Sequence, residues 1–188
     1  MKKVLAVIFA VVLFSGVSSF AQEKSPWSVN AGYLNSTISV SQSGVSASID
    51  FNGFFAGVAY DIPLNVENNA IQLGAYWDFK TAKAGGQSSS VHFLRIPVHY
   101  KYSTPLNETV SLFISAGPSI NVGLFGEDEP FEDGGLKRVN VQIGAAAGLE
   151  FNNRFFIKLG YDYGVTKGMD LDVTNRINAF QIGVGLCF

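Results

Sequence analysis

The last thirteen residues, Arg176–Phe188, alternate with a period of two. Phe180, Ile182, Val184, Leu186 and Phe188 are bulky and apolar, while Ala179, Gln181, Gly183, Gly185 and Cys187 between them are small or polar. A period of two held over this length predicts a β-strand with two chemically different faces. Seven earlier runs follow the same rule. They extend from about Trp27 to Val40, Ala47 to Ile62, Ala70 to Thr81, Ser90 to Ser103, Val110 to Val122, Val139 to Phe151 and Phe155 to Lys167. The sixth is the most regular, with Val139, Val141, Ile143, Ala145, Ala147, Leu149 and Phe151 set against Asn140, Gln142, Gly144, Ala146, Gly148 and Glu150.

Two places break the pattern. In the second run Phe54, Ala56, Val58 and Tyr60 share one face, but Ile49 and Phe51 fall on the other parity. A β-bulge at Asn52-Gly53 would restore the phase. In the fifth run Pro118 removes a ladder donor and predicts a bulge or local opening. The connections alternate in length. Pro63–Asn69, Thr104–Glu108 and Asn152-Asn153 are short polar turns, whereas the Gly/Gln/Ser connection before Ser90 and the acidic connection Gly126–Gly135 are longer. An even number of strands of about ten residues, with short turns at one end and longer loops at the other, fits an outer-membrane barrel.

Period alone leaves open which face points inward, since a soluble lipocalin-like carrier shares it with the apolar set inside. Charge decides. Lys80, Arg95, Lys101 and Lys158 lie on the small-residue face with Asp61, Asp78, Glu150 and Asp162, a balanced set suited to a narrow interior where charges must be paired. Aromatics gather at the strand ends near the short turns, at Trp27, Tyr60, Tyr102, Phe151, Phe155 and Phe188, as an interfacial girdle would. The expected fold is therefore all-β, an eight-stranded antiparallel up-and-down transmembrane β-barrel with the apolar face toward lipid.

The amino-terminus agrees with export. Lys2-Lys3, the apolar run Val4–Phe14 and the small-residue end Ser19-Phe20-Ala21 read as a secretory signal peptide, residues 1–21, cleaved after Ala21. The barrel domain then spans residues 22–188. Without Lys2 and Lys3 the mature chain keeps 11 of 13 bases against 15 acids, a formal charge of −4, which argues against nucleic-acid binding. The single cysteine, Cys187, rules out a fold held by intrachain disulfides.

Several segments carry a family resemblance: LRIPVHYKY (Leu94–Tyr102), AGPSINVG (Ala116–Gly123), the Gly-rich sixth run ending Leu149-Glu150-Phe151, and the terminal IGVGLCF. Together they resemble the PorT-like outer-membrane β-barrel family over most of the mature chain. That resemblance implies insertion into the bacterial outer membrane by the β-barrel assembly machinery, which would read the terminal strand ending in Phe188. It also implies a link, in founding members, to protein secretion.

Candidate chemistry is sparse, and no residues are assigned to catalysis, a cofactor or a metal. His92, near Ser88, Ser89 and Ser90 with its parity outward, is the one candidate base for a lipid-modifying enzyme, but no orienting acid accompanies it. His99 points inward, where it is expected to complete a hydrogen-bond network near Arg95 and Lys101. The acidic segment Glu127–Asp133 lacks the spacing of a formed calcium loop and reads as a solvated surface loop. Interior Gly144, Gly148, Gly160 and Gly164 are expected to make room for long charged side chains. The tight turn at Asn152-Asn153 places Glu150 opposite Phe156 and predicts a diagonal ion pair from Glu150 to Lys158. The overall expectation is a non-enzymatic monomer in the bacterial outer membrane. Its partners would be membrane lipid and a protein met through the extracellular loops.

Overall fold

Eight alternating segments can form an open sheet with two unpaired edges or a ladder closed on itself. The computed structural model of the chain has the closed form. It describes residues 26–42, 45–84, 87–127, 130–131, 135–169 and 174–188, so the signal-peptide reading of residues 1–21 lies outside the described residues. The strands are β1 (Trp27–Gln42), β2 (Val45–Pro63), β3 (Asn69–Ala84), β4 (Gln87–Pro105), β5 (Val110–Gly126), β6 (Val139–Phe151), β7 (Phe155–Gly164) and β8 (Thr174–Cys187). Each pairs antiparallel with its sequence neighbours, and β8 returns to β1 from Cys187 opposite Ser28 to Thr174 opposite Ser41. Closure satisfies backbone groups from strand to strand, the condition for crossing a bilayer without helices.

The short turns follow from local chemistry. Phe151 O accepts from Arg154 N at 3.0 Å around Asn152 and Asn153, whose φ angles are 51° and 54°. Two consecutive positive φ values mark a type I′ turn, and asparagine tolerates that region better than most residues. Asn68, at φ 67°, ends the turn between β2 and β3. Between β4 and β5, the Asn107 side chain accepts from the backbone N of Thr109 and Val110.

The faces divide as the charge pattern requires. Tyr33, Phe54, Val58, Trp77, Ile114, Ile143, Leu159 and Ile182 lie exposed on the outside, whereas Asp78, Arg95, Lys101, Glu150 and Asp162 are buried inside. At the short-turn end the outer surface carries Trp27 against Tyr60 at 4.7 Å between ring centroids, together with exposed Tyr102, Phe155 and Phe188. A second aromatic group, Phe54, Trp77, Phe79 and Phe125, clusters on the β2–β5 side of the barrel nearer the opposite end.

Two expectations about strand geometry resolve differently. There is no bulge at Asn52-Gly53: β2 stays in register with β1 from Val45 opposite Gln42 to Tyr60 opposite Trp27. Phe51 points into the barrel opposite Ser36, and the outward positions become Asn52 and Asp50. The polarity of the faces has inverted because the strand has left the membrane. Outward side chains now meet headgroups and water, and apolar ones fill the mouth. The irregularity lies instead between β4 and β5, where the register shifts between His92 and Phe93. At Pro118 the β4–β5 ladder opens: pairing stops at Pro97 opposite Ser119, resumes at Tyr100 opposite Ala116, and keeps the same register across the gap.

The Gly/Gln/Ser connection before Ser90 is also much shorter than expected. β3 runs to Ala84 and β4 starts at Gln87. Strands β1 to β5 therefore continue past the apolar belt as a polar wall. Thr37 donates to Asp50 at 2.7 Å and Asn35 donates to Asn52 at 3.0 Å across its outer surface.

Candidate functional site

The barrel interior is the first place to look for chemistry, and it is filled by its own side chains. Arg95 on β4 reaches Asp78 on β3 through Nε at 2.9 Å and a second nitrogen at 3.1 Å. Its remaining nitrogen lies 3.9 Å from Asp162 Oδ2 on β7, across the lumen. Gln181 on β8 donates to the same carboxylate. This belt ties four strands together at mid-barrel, with Arg95 and both acids almost fully buried. A two-pronged guanidinium–carboxylate contact is the geometry for which arginine is suited over lysine. Nearer the short turns, Lys101 Nζ pairs with Asp61 at 2.6 Å, and Gln72 donates to Asp61 at 2.7 Å.

Aromatic rings fill much of the remaining core, beside aliphatic Leu34, Ile38 and Val91. Phe55 is completely buried and crosses Tyr76 edge-on at 6.0 Å, and Phe113 crosses Phe156 at 5.9 Å. The expectation that interior glycines serve long charged side chains holds at Gly144, where an added Cβ would lie 2.0 Å from Asp162 Oδ1. Gly160 instead lies beside Ala146 and Gly164 against the Ile177 backbone, while Gly148, Gly183 and Gly185 make room for rings. A Cβ on Gly183 would meet Phe55 at 2.7 Å, on Gly185 Phe156 at 2.2 Å, and on Gly148 Phe113 at 2.4 Å. The missed signal was an inward aromatic paired with an inward glycine on a neighbouring strand, as Phe55 with Gly32, Phe113 with Gly148 and Phe156 with Gly185.

The expected Glu150–Lys158 ion pair does not form. The register behind it is right, with Glu150 opposite Phe156 and Lys158 opposite Gly148. Lys158 Nζ turns away to lie 4.9 Å from the Tyr76 ring centroid and 5.3 Å from that of Phe55. The π faces of two packed rings offer a desolvated ammonium an electrostatic partner. His99 is buried inside as expected, but its Nε2 has no hydrogen-bond partner among the described residues, so it completes no network there.

His92 points outward, as its parity requires, into a ring cluster. Trp77 stacks on it at 5.4 Å and 12°, Phe79 lies at 5.0 Å and Phe125 at 4.3 Å. Its Nδ1 is buried without a hydrogen-bond partner, so neither an acid nor a serine orients the imidazole among the described residues. A general base for acyl transfer needs both a proton to take and a group to fix its tautomer. Among the described residues, no group fixes the tautomer through Nδ1.

Of the acidic segment Glu127–Asp133, only Glu127, Pro130 and Phe131 belong to the described residues, and cation binding by the others lies outside them. The described part folds over the barrel mouth. Phe131 crosses Phe93 at 5.6 Å, Arg138 covers Phe131 at 5.3 Å, and Leu136 bridges to Met169 of the next loop. No group of three or more His, Cys, Asp or Glu among the described residues could hold a metal.

Among the described residues, space weighs against the remaining alternative. Two hollows within the lumen have volumes of about 10 Å³ each, whereas those of about 530 and 460 Å³ lie on the outer apolar face. A lipocalin-like carrier would have the reverse arrangement, an internal cavity and a polar exterior.

The sequence profile of the outer membrane protein beta-barrel domain matches residues 7–188. The chain belongs to that family. This places it in the bacterial outer membrane with the apolar face in lipid. Solved barrels share the fold at low identity. Neisserial surface protein A is 16% identical with a TM-score of 0.51, covering 89% of this chain and 100% of its own. The outer membrane enzyme PagL is 11% identical with a TM-score of 0.51, covering 81% and 97%. Ail, the attachment invasion locus protein of Yersinia pestis, is 18% identical with a TM-score of 0.46, covering 88% and 100%. No curated protein matches the chain.

Proposed function

We propose that this family member is a non-enzymatic, monomeric outer-membrane component that acts through contacts made by its extracellular loops. The observation that carries this reading is the filled lumen. Among the described residues, the lumenal hollows of about 10 Å³ are too small for a diffusion path or a substrate pocket. What remains for partners is the polar extension of β1 to β5 and the loop between β5 and β6. Within the family, the sequence resembles PorT-like members, and a part in protein secretion at the outer membrane is the finer form of the proposal. Recognition of the terminal strand and Phe188 by the β-barrel assembly machinery belongs to the same reading. Cross-linking on intact cells tests it, comparing the native chain with one in which Gly126–Gly135 is replaced by a short Gly/Ser turn. A protein cross-linked only to the native chain supports the proposal. The same cross-links to both chains would remove this loop from it.

One observation favours a second reading, a lipid-modifying enzyme. A histidine, His92, faces the membrane, and an outer membrane enzyme shares the fold. The missing partner on Nδ1 weighs against it. A phospholipid or lipid A hydrolysis assay with native protein and His92→Ala decides. The account expects no turnover by either, and turnover lost on substitution would establish the enzyme.

A further inference from the structure

Among the described residues, Lys158 takes part in none of the lumenal ion pairs: Arg95 engages Asp78 and Asp162, and Lys101 engages Asp61. Two ring faces lie beside the Lys158 ammonium, but rings do not replace a hydrogen-bond acceptor for all three of its N–H groups. Beside it is a hollow of about 10 Å³, bounded by Asn30, Gln72, Tyr76, Lys101 and Lys158 with the rings of Phe113 and Phe156. Asn30 is 6% exposed, and its Oδ1 is buried with no hydrogen-bond partner. Its Nδ2 is already used, donating to Tyr76 Oη at 3.2 Å. The hollow therefore gathers a cation with donors to spare, a carbonyl oxygen lacking a donor, and a phenol whose own proton is free to be given.

Two small ligands fit this volume, a water molecule and a monatomic anion. An anion would answer the ammonium but would face Asn30 Oδ1, whose partial charge is also negative. The other ammonium on the hollow, Lys101, is already neutralised by Asp61 at 2.6 Å. Water answers both needs, because it accepts and donates. We propose that one ordered water occupies this hollow, accepting from Lys158 Nζ and Tyr76 Oη and donating to Asn30 Oδ1. Three hydrogen bonds are the usual number for a buried water, and about 10 Å³ is close to the space one requires. The site gives Lys158 a local solvent inside a closed barrel, separated from the outer mouth by the Arg95 belt.

The experiment is a high-resolution crystal structure of the detergent-purified protein grown in sodium bromide, with data collected at the bromine absorption edge. The expected result is a density peak within hydrogen-bond reach of Lys158 Nζ and Asn30 Oδ1 that carries no anomalous signal. An anomalous peak there would replace the water with a halide. Direct contact of Nζ with Oδ1, and no peak between them, would overturn the site altogether. In Asn30→Leu, which keeps the side-chain size and removes the acceptor, the peak is expected to vanish. Its persistence would show that Asn30 does not hold the water.

Discussion

Replacing Arg95 with methionine removes the guanidinium that lies within 4 Å of both Asp78 and Asp162 in the middle of the lumen. All three side chains are at most 6% exposed, so bulk water cannot take over the role of the guanidinium. Breaking a buried ion pair by deleting one partner costs roughly 3–5 kcal/mol, most of it the penalty for the charge left behind. Urea dependences of roughly 1–3 kcal/mol per M turn that loss into a midpoint lowered by about 2 M. The assay is urea unfolding in detergent micelles, followed by the gel mobility of unboiled samples. The decisive comparison is with Arg95→Met/Asp78→Asn/Asp162→Asn, which removes the charges along with their partner. This triple variant is expected to recover most of the loss, because neutral groups of similar shape carry little desolvation penalty. A triple variant as unstable as the single one would refute the reasoning. The belt would then act by packing, and electrostatics would not be what holds β3, β4, β7 and β8 together.

Other consequences follow from the same geometry. Lys158→Met and Glu150→Gln are expected to destabilise additively, whereas Lys158→Met and Tyr76→Leu are expected to couple by roughly 0.5–3 kcal/mol in a double-mutant cycle, since only the second pair is in contact. Gly185→Ala places a Cβ 2.2 Å from the Phe156 ring and is expected to cost about 1–3 kcal/mol in urea unfolding, with partial rescue by Phe156→Leu. Deleting Phe188, whose side chain is exposed beside Trp27, is expected to lower the amount of barrel assembled in cells more than it slows refolding into detergent. Equal loss in both assays would make Phe188 a packing residue only.

Much of the fold was legible because the bilayer imposes one rule on every outward side chain. Within the apolar belt the alternation is strict, and strands, facing and register follow from it. β6 is the clearest case, with Asn140 to Glu150 inward at every second residue and paired with β5 and β7 as the turn at Asn152-Asn153 requires. Above the belt the rule lapses. Ile49 and Phe51 fall on the lumenal parity because the outward face no longer meets lipid, so the parity change at Asn52-Gly53 marks a membrane boundary and not a bulge. For the same reason Gln87–Ser89, with no apolar face, reads as loop although it is strand. The interior was legible by type and not by pairing. Four bases and four acids were placed correctly, but their partners depend on reach across the lumen. Neither Lys158's choice of rings over Glu150 nor Arg95's reach to Asp162 follows from strand register. The candidate site was legible mainly as a lack: His92 has the outward position of a base, and the structure surrounds it with rings.

The central claim is a closed barrel crossing the outer membrane with its apolar face in lipid, and electrophoretic mobility of the fractionated protein tests it most directly. Protein taken from outer-membrane fractions washed with sodium carbonate is run in denaturing detergent with and without boiling. A ladder with no free edge resists the detergent until heated, so the account predicts two distinct mobilities, both from the membrane pellet. A single mobility with and without boiling, from protein recovered in the soluble periplasmic fraction, would contradict it.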